Sequence, residues 1–251
     1  MKQISRMFAP ASVVLVAMLS IAGCKGDGNG EASNDGLFGE MPTIAIDYGN
    51  QAITVLESAK DLTTIEDLKN FTNKIKELDS TANATVDAAL RKLEGKEIPV
   101  VFDDNLPVKA SKPFIFDMEQ SKNEKVVFVG EIENTEEINQ LESKFNQHYL
   151  SAVYLDKDGN PLCVGGRTTF KPGDYSKRFE KGAKGELKVS LKIEPWNAEL
   201  LSKAQKVKFA SVKDDNFKVV LDSTSNVEKR YKEMLKAKEK EAQEAILGKL
   251  K

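Results

Sequence analysis

Glu186-Leu187-Lys188-Val189-Ser190-Leu191-Lys192-Ile193-Glu194 sets polar and apolar residues in strict alternation. Side chains along a β-strand point to opposite faces with a period of two, so this stretch reads as a strand with one face buried and one in water. The same period dominates from residue 98 to about residue 222. Candidate strands there are 98–102, 113–117, 125–133, 149–155, 161–165, 187–194, 206–213 and 217–222. Val126-Val127-Phe128-Val129 is apolar on both faces and is expected at the centre of a sheet. Asp156-Lys157-Asp158-Gly159-Asn160 lies between two apolar runs and reads as a hairpin turn. Two helical interruptions are expected. One opens at Thr135 and places Ile138, Leu141 and Phe145 on one face; the other spans 197–204, opened by Pro195 and Trp196. Eight short strands with turn signals between them imply an antiparallel β-sandwich over residues 97–222.

Helical periodicity flanks that region. Residues 64–94 carry Ile65, Leu68, Phe71, Ile75, Leu78, Ala82, Val86, Ala89, Leu90 and Leu93 at steps of mostly three and four, one continuous stripe. Thr63 or Thr64 can cap its start, and Glu66 or Asp67 lies in the first turn, where the helix dipole favours an acid. A narrow stripe wants another helix as partner, either the segment 43–60 before it or a C-terminal helix over 224–250 capped near Ser223, Thr224 or Ser225. A second copy of the same helix would also serve, giving a homo-oligomer. The expected architecture is therefore α+β: a helical region at 41–96, the sandwich, and a C-terminal helix at 223–251, with the end helices pairing.

At the N-terminus, Lys2 and Arg6 precede a mainly apolar run of 16 residues from Met7 to Ala22. That is shorter than the roughly 20 residues a spanning helix needs, and it has the form of a secretory signal. Ile21-Ala22-Gly23-Cys24 closes it and resembles the lipobox of bacterial lipoproteins. The resemblance implies that residues 1–23 are a signal peptide and that the Cys24 thiol carries a diacylglyceryl group. The chain would be cut after Gly23, and the new amine acylated by a chain such as palmitate. The expected location is the bacterial cell envelope, with the membrane as partner through Cys24. Lys25 stands where an aspartate often retains such proteins at the inner membrane, which favours the outer membrane. Residues 24–40, interspersed with Gly, Asn, Asp and Ser, read as a flexible tether.

The formal net charge of −2 becomes −4 once Lys2 and Arg6 leave with the signal, which argues against a nucleic-acid partner. Cys24 and Cys163 are the two cysteines, so with Cys24 lipidated no intrachain disulfide can form. Cys163, in Pro161-Leu162-Cys163-Val164, reads as a buried inert thiol, with a reactive or pairing thiol as the alternative.

No catalytic, cofactor or metal signature stands out. Asp156, Asp158 and Asn160 mimic the start of a calcium loop, but Pro161 and Arg167 occupy its glycine and glutamate positions. His148, the single histidine, reads as a structural or surface residue. Gly165-Gly166-Arg167-Thr168-Thr169 lacks the spaced glycines, the lysine and the following helix of a phosphate loop and reads as a strand-end turn. Trp196 reads as a core or corner residue rather than a sugar platform. Lys188, Lys192, Lys206, Lys208 and Lys218, if their strands are neighbours, would form one exposed face for an anionic partner; otherwise they are solvated lysines guarding sheet edges. The chain thus reads as a non-enzymatic binding or structural module with an envelope protein or glycan as partner. The alternative is an envelope hydrolase using Asp103 and Asp104.

Overall fold

The structure is a computed structural model that describes residues 36–121, 125–138 and 150–248. Its architecture is the expected α+β one: two mostly antiparallel sheets stacked face to face, flanked by helices from both ends of the chain. Helix α1 spans Met41–Glu57 and continues as a single 3-10 turn, Ser58–Asp61. Helix α2 spans Ile65–Arg91. Its start is fixed as the sequence suggests. The Asp67 backbone N–H donates to Thr64 Oγ1 at 3.1 Å, and Asp67 Oδ2 accepts from the backbone N–H groups of Thr64 and Thr63 at 2.7 and 2.9 Å.

The first expected strand divides at Pro99. Residues Glu97–Ile98 form β1 and Val100–Phe102 form β2, and the two belong to different sheets. Proline cannot donate to a ladder, so it suits a switch point between sheets. Then follow β3 (Val108–Phe116), β4 (Lys125–Asn134), β5 (Leu150–Leu155), β6 (Pro161–Val164), β7 (Arg167–Pro172), β8 (Lys184–Lys192), helix α3 (Pro195–Leu201), β9 (Lys206–Ser211) and helix α4 (Asp215–Gly248). The five-stranded sheet has the order β1-β3-β4-β8-β7, and the four-stranded sheet β2-β9-β5-β6. All neighbours are antiparallel except β2 and β9.

The alternation at 186–194 works as read. Leu187, Val189 and Leu191 are buried between the sheets, while Lys184, Glu186, Lys188 and Lys192 face away from the core. Facing them across the core are Ala152, Tyr154, Cys163, Val207 and Phe209. Phenylalanines fill the middle: Phe114 stands 5.3 Å from Phe209 and 6.5 Å from Phe128, and Phe116 is 6.1 Å from Phe128. Gly130 is required there, because a Cβ at that position would lie 2.5 Å from the Phe114 ring.

The other face of the four-stranded sheet is covered by the first half of α4. Phe217 and Val220 pack on Val153, Leu155, Val164 and Ala210. Beyond the sheet, α4 joins α1 and α2. Tyr231 and Leu235 meet Tyr48 and Ala52, and Ala242 meets Leu56, Ala59, Phe71 and Ile75. The α2 stripe is therefore used within the chain. Helix α3 couples the two regions: Ala198 and Leu201 belong to the sandwich core, and Trp196 packs on the Tyr48–Leu235 cluster.

Four expectations need correction. The tether does not run to residue 40: Leu37 and Phe38 are core residues, with Phe38 fully buried against Tyr154 at 5.4 Å and Phe116 at 6.1 Å. Residues 217–222 are the first turns of α4 rather than a strand, so the sheet region ends at Ser211 and not at 222. The C-terminal helix starts at Asp215, not near 224, with Asp214 Oδ1 accepting from the Asn216 backbone N–H at 2.7 Å. Finally, the strand-end turn read over 165–169 is confined to Gly165 and Gly166, and Arg167–Pro172 is a strand. The helix expected from Thr135 falls largely on residues 139–149, outside the described residues. His148 lies there too. Ile138 is described, and its backbone N–H bonds to Phe179 O at 2.8 Å.

Candidate functional site

The five lysines expected on one face are not brought together. Lys188 and Lys192 lie on β8, on the outer face of the five-stranded sheet. Lys206 and Lys208 lie on β9, in the other sheet, and share a face with Leu155 and Val153, the residues opposite them on β5. That face is on the far side of the sandwich. Lys218 is on no strand: it sits in the first turn of α4 and bonds Asp215 at 2.7 Å, which holds its ammonium pKa above the usual value. Strand periodicity gives each residue's parity but not its sheet. The long separations that β pairing bridges are where the reading fails.

What the structure assembles instead is a charged outer face on the five-stranded sheet. Register places its outward residues in rows. Lys125 stands opposite Lys192. The next row sets Val127, buried and bonded to Asp117 and Ser121, beside Ser190 and Arg167. Then come Ile115, Val129, Lys188 and Thr169, followed by Lys112, Glu131, Glu186 and Lys171. The last row is Lys109, Glu133 and Lys184.

The two ends of this face differ. At the Glu131–Glu133 end the charges are balanced. Lys112 bonds Glu131 at 2.9 Å, and Glu133 lies 3.4 Å from Lys109 and 3.7 Å from Lys184. The hydrogen bond from Lys112, then that from the Ser111 hydroxyl, holds the Glu131 carboxyl below its usual value. At the Lys125 end the strand rows from Lys125 to Arg167 hold no carboxylate among the described residues; an acid, Asp117, stands beside them just past β3, where its backbone N–H bonds Val127 O at 2.9 Å and its carboxylate accepts from Gln120. Lys192 has Glu194 at 3.7 Å, just past the end of its strand, and Lys188 donates to the Gln120 side-chain oxygen. Like charges set directly across a strand pair, as Lys125 and Lys192 are, destabilise it. Lys125, Arg167 and Lys171 were not anticipated as partners of Lys188 and Lys192. The alternation of Arg167, Thr169 and Lys171 with Thr168, Phe170 and Pro172 was the available signal, masked by Gly165-Gly166 before it.

The acids of the hydrolase alternative occupy different environments. Asp103 is turned inward, its side chain 10% exposed and paired with Lys208, whereas Asp104 is exposed. Asp156 serves its own turn, with Oδ1 accepting from the backbone N–H groups of Asp158 and Asn160 at 2.9 and 2.8 Å. Trp196 donates from Nε1 to Glu194 at 2.9 Å. Cys163 is buried, and its thiol is pushed up to about 12 by desolvation. Among the described residues no group of three or more His, Cys, Asp or Glu is placed to hold a metal ion, and no helix is long and apolar enough to cross a membrane. Compared with known proteins, the chain matches no family model, no curated protein and no solved structure.

Proposed function

We propose that this is a lipid-anchored protein of the bacterial cell envelope, held at the outer membrane through Cys24, that acts by binding rather than by catalysis. The observation that carries this reading is Ile21-Ala22-Gly23-Cys24 behind a basic start and a 16-residue apolar run. On that reading the anchor also fixes how far the body stands from the membrane. Leu37 and Phe38 enter the core 13 and 14 residues after Cys24. At roughly 3.3–3.6 Å per residue, such a length spans at most about 45 Å. The body is then held close to the bilayer, with its charged sheet face in solvent. Two or more acyl chains hold a protein firmly, where one holds only marginally.

Growth of producing cells with labelled palmitate tests the anchor. Label is expected in the wild-type chain and not in Cys24→Ala, and a wild-type chain without label would overturn the reading. Protease added to intact cells then separates display at the surface from a periplasmic position.

A further inference from the structure

From the outer face of the five-stranded sheet we infer a binding track for a linear anionic polysaccharide, formed by Lys125, Lys192, Arg167, Lys188 and Lys171. This rests on the reading of the chain as an envelope binding protein and names the chemistry of its partner. The five cations follow one another across β4, β8 and β7. Lys125 and Lys192 are side by side. Arg167 lies one row further, opposite Ser190; Lys188 follows beside Thr169; and Lys171 ends the track opposite Glu186. Six residues of strand separate the first row from the last, roughly 20 Å. No ion pair engages Lys125, Arg167 or Lys188 among the described residues.

Three properties select the ligand. The cations of the track form a narrow band, not a plane: the rest of the face carries Glu186, Glu131 and Glu133 together with Lys112, Lys109 and Lys184, which balance the last two acids. A layer of anionic headgroups would press against those carboxylates as well as the lysines, whereas a single chain can follow the band alone. Ser190 and Thr169 lie between the cations and supply hydroxyls suited to hydrogen bonding with sugar. No aromatic side chain stands on these rows, so the face lacks the stacking platforms that single-stranded nucleic acids use.

The test measures binding of the purified full chain to polygalacturonate, a linear polyuronate, with neutral dextran and vesicles of phosphatidylethanolamine and phosphatidylglycerol as comparisons. Polygalacturonate is expected to bind and dextran not, with affinity falling as salt rises. The double variant Arg167→Gln/Lys188→Gln should bind at least tenfold more weakly. Lys229→Gln/Lys236→Gln, on the exposed side of α4, should bind as the wild type does. Glu186→Gln removes the carboxylate beside Lys171 and should bind more tightly, an effect misfolding cannot imitate. The inference is overturned by equal binding of the Arg167/Lys188 variant, by an equal loss in the α4 control, or by binding to vesicles without polygalacturonate. Failure here with palmitate label intact at Cys24 leaves the anchor standing; loss of label with polygalacturonate binding intact removes the anchor and leaves the track.

Discussion

Cys163 is 2% exposed, and its thiol is held in the protonated form by burial. In the native protein at pH 8 it should react with a thiol reagent only as fast as the sandwich opens, and at the rate of a free thiol in denaturant. A fast native reaction would show that β6 is not seated as described. Asp67 makes the opposite case. Hydrogen bonds from Thr63 and then Thr64 lower its carboxyl from 3.8 to about 2. Because the folded value is depressed, its contribution is fully present above about pH 4 and is lost as pH falls through about 2. Melting temperatures of the wild type and Asp67→Asn should therefore differ at neutral pH and converge between about pH 4 and 2. Substituting the cap itself, Thr64→Ala, should cost about 1 kcal/mol in a denaturant titration.

At the scale of elements, α4 shows where local pattern and tertiary context part. Phe217-Lys218-Val219-Val220-Leu221 is rich in β-formers and reads as a strand. It is helical because Phe217, Val220 and Thr224, spaced three and four apart, meet the outer face of the four-stranded sheet together. Propensity is a weak prior against such burial. Thr224, legible as a cap, is instead an interior link. Its hydroxyl donates to Val220 O at 2.8 Å and accepts from the Val164 backbone N–H at 3.0 Å, closing part of the β6 edge. Thr224→Val keeps the shape and leaves that N–H without its acceptor, so it should cost about 1–3 kcal/mol and speed hydrogen exchange at Val164. The elements that were legible had their signals close by: the Thr64–Asp67 cap, the Asp156–Asn160 turn, the alternation at 186–194. β7 was hidden by the two glycines ahead of it. The charged face was only half visible, because Lys188 and Lys192 share a strand, while Lys125 and Arg167 reach them through pairings that no local window contains.

At the scale of the whole molecule, α4 belongs to both parts: its first half covers a sheet, and its second half completes the bundle with α1 and α2. Helix α3 joins the same two regions. Neither part buries its apolar surface alone, so the chain should unfold as one unit. Trp196 reports on the bundle contact and the Cys163 thiol on the sandwich. Denaturant midpoints from Trp196 fluorescence and from Cys163 accessibility should coincide, and separate midpoints would show two cooperative units.

The seating of Phe38 also has a mechanical side. The Leu37 backbone N–H bonds to Ala204 O at 2.7 Å, and Lys96 Nζ reaches the carbonyl oxygens of Gly36 and Leu37 at 3.2 and 3.4 Å. Any pull on the chain ahead of Gly36 is therefore received by segments 59 and more residues away. Tension has to draw an aromatic ring from between two sheets before it reaches helix α1. Gly36, Leu37 and Phe38 act as a grip: a load applied through the chain ahead of them would be borne by the sandwich before it reached the helices.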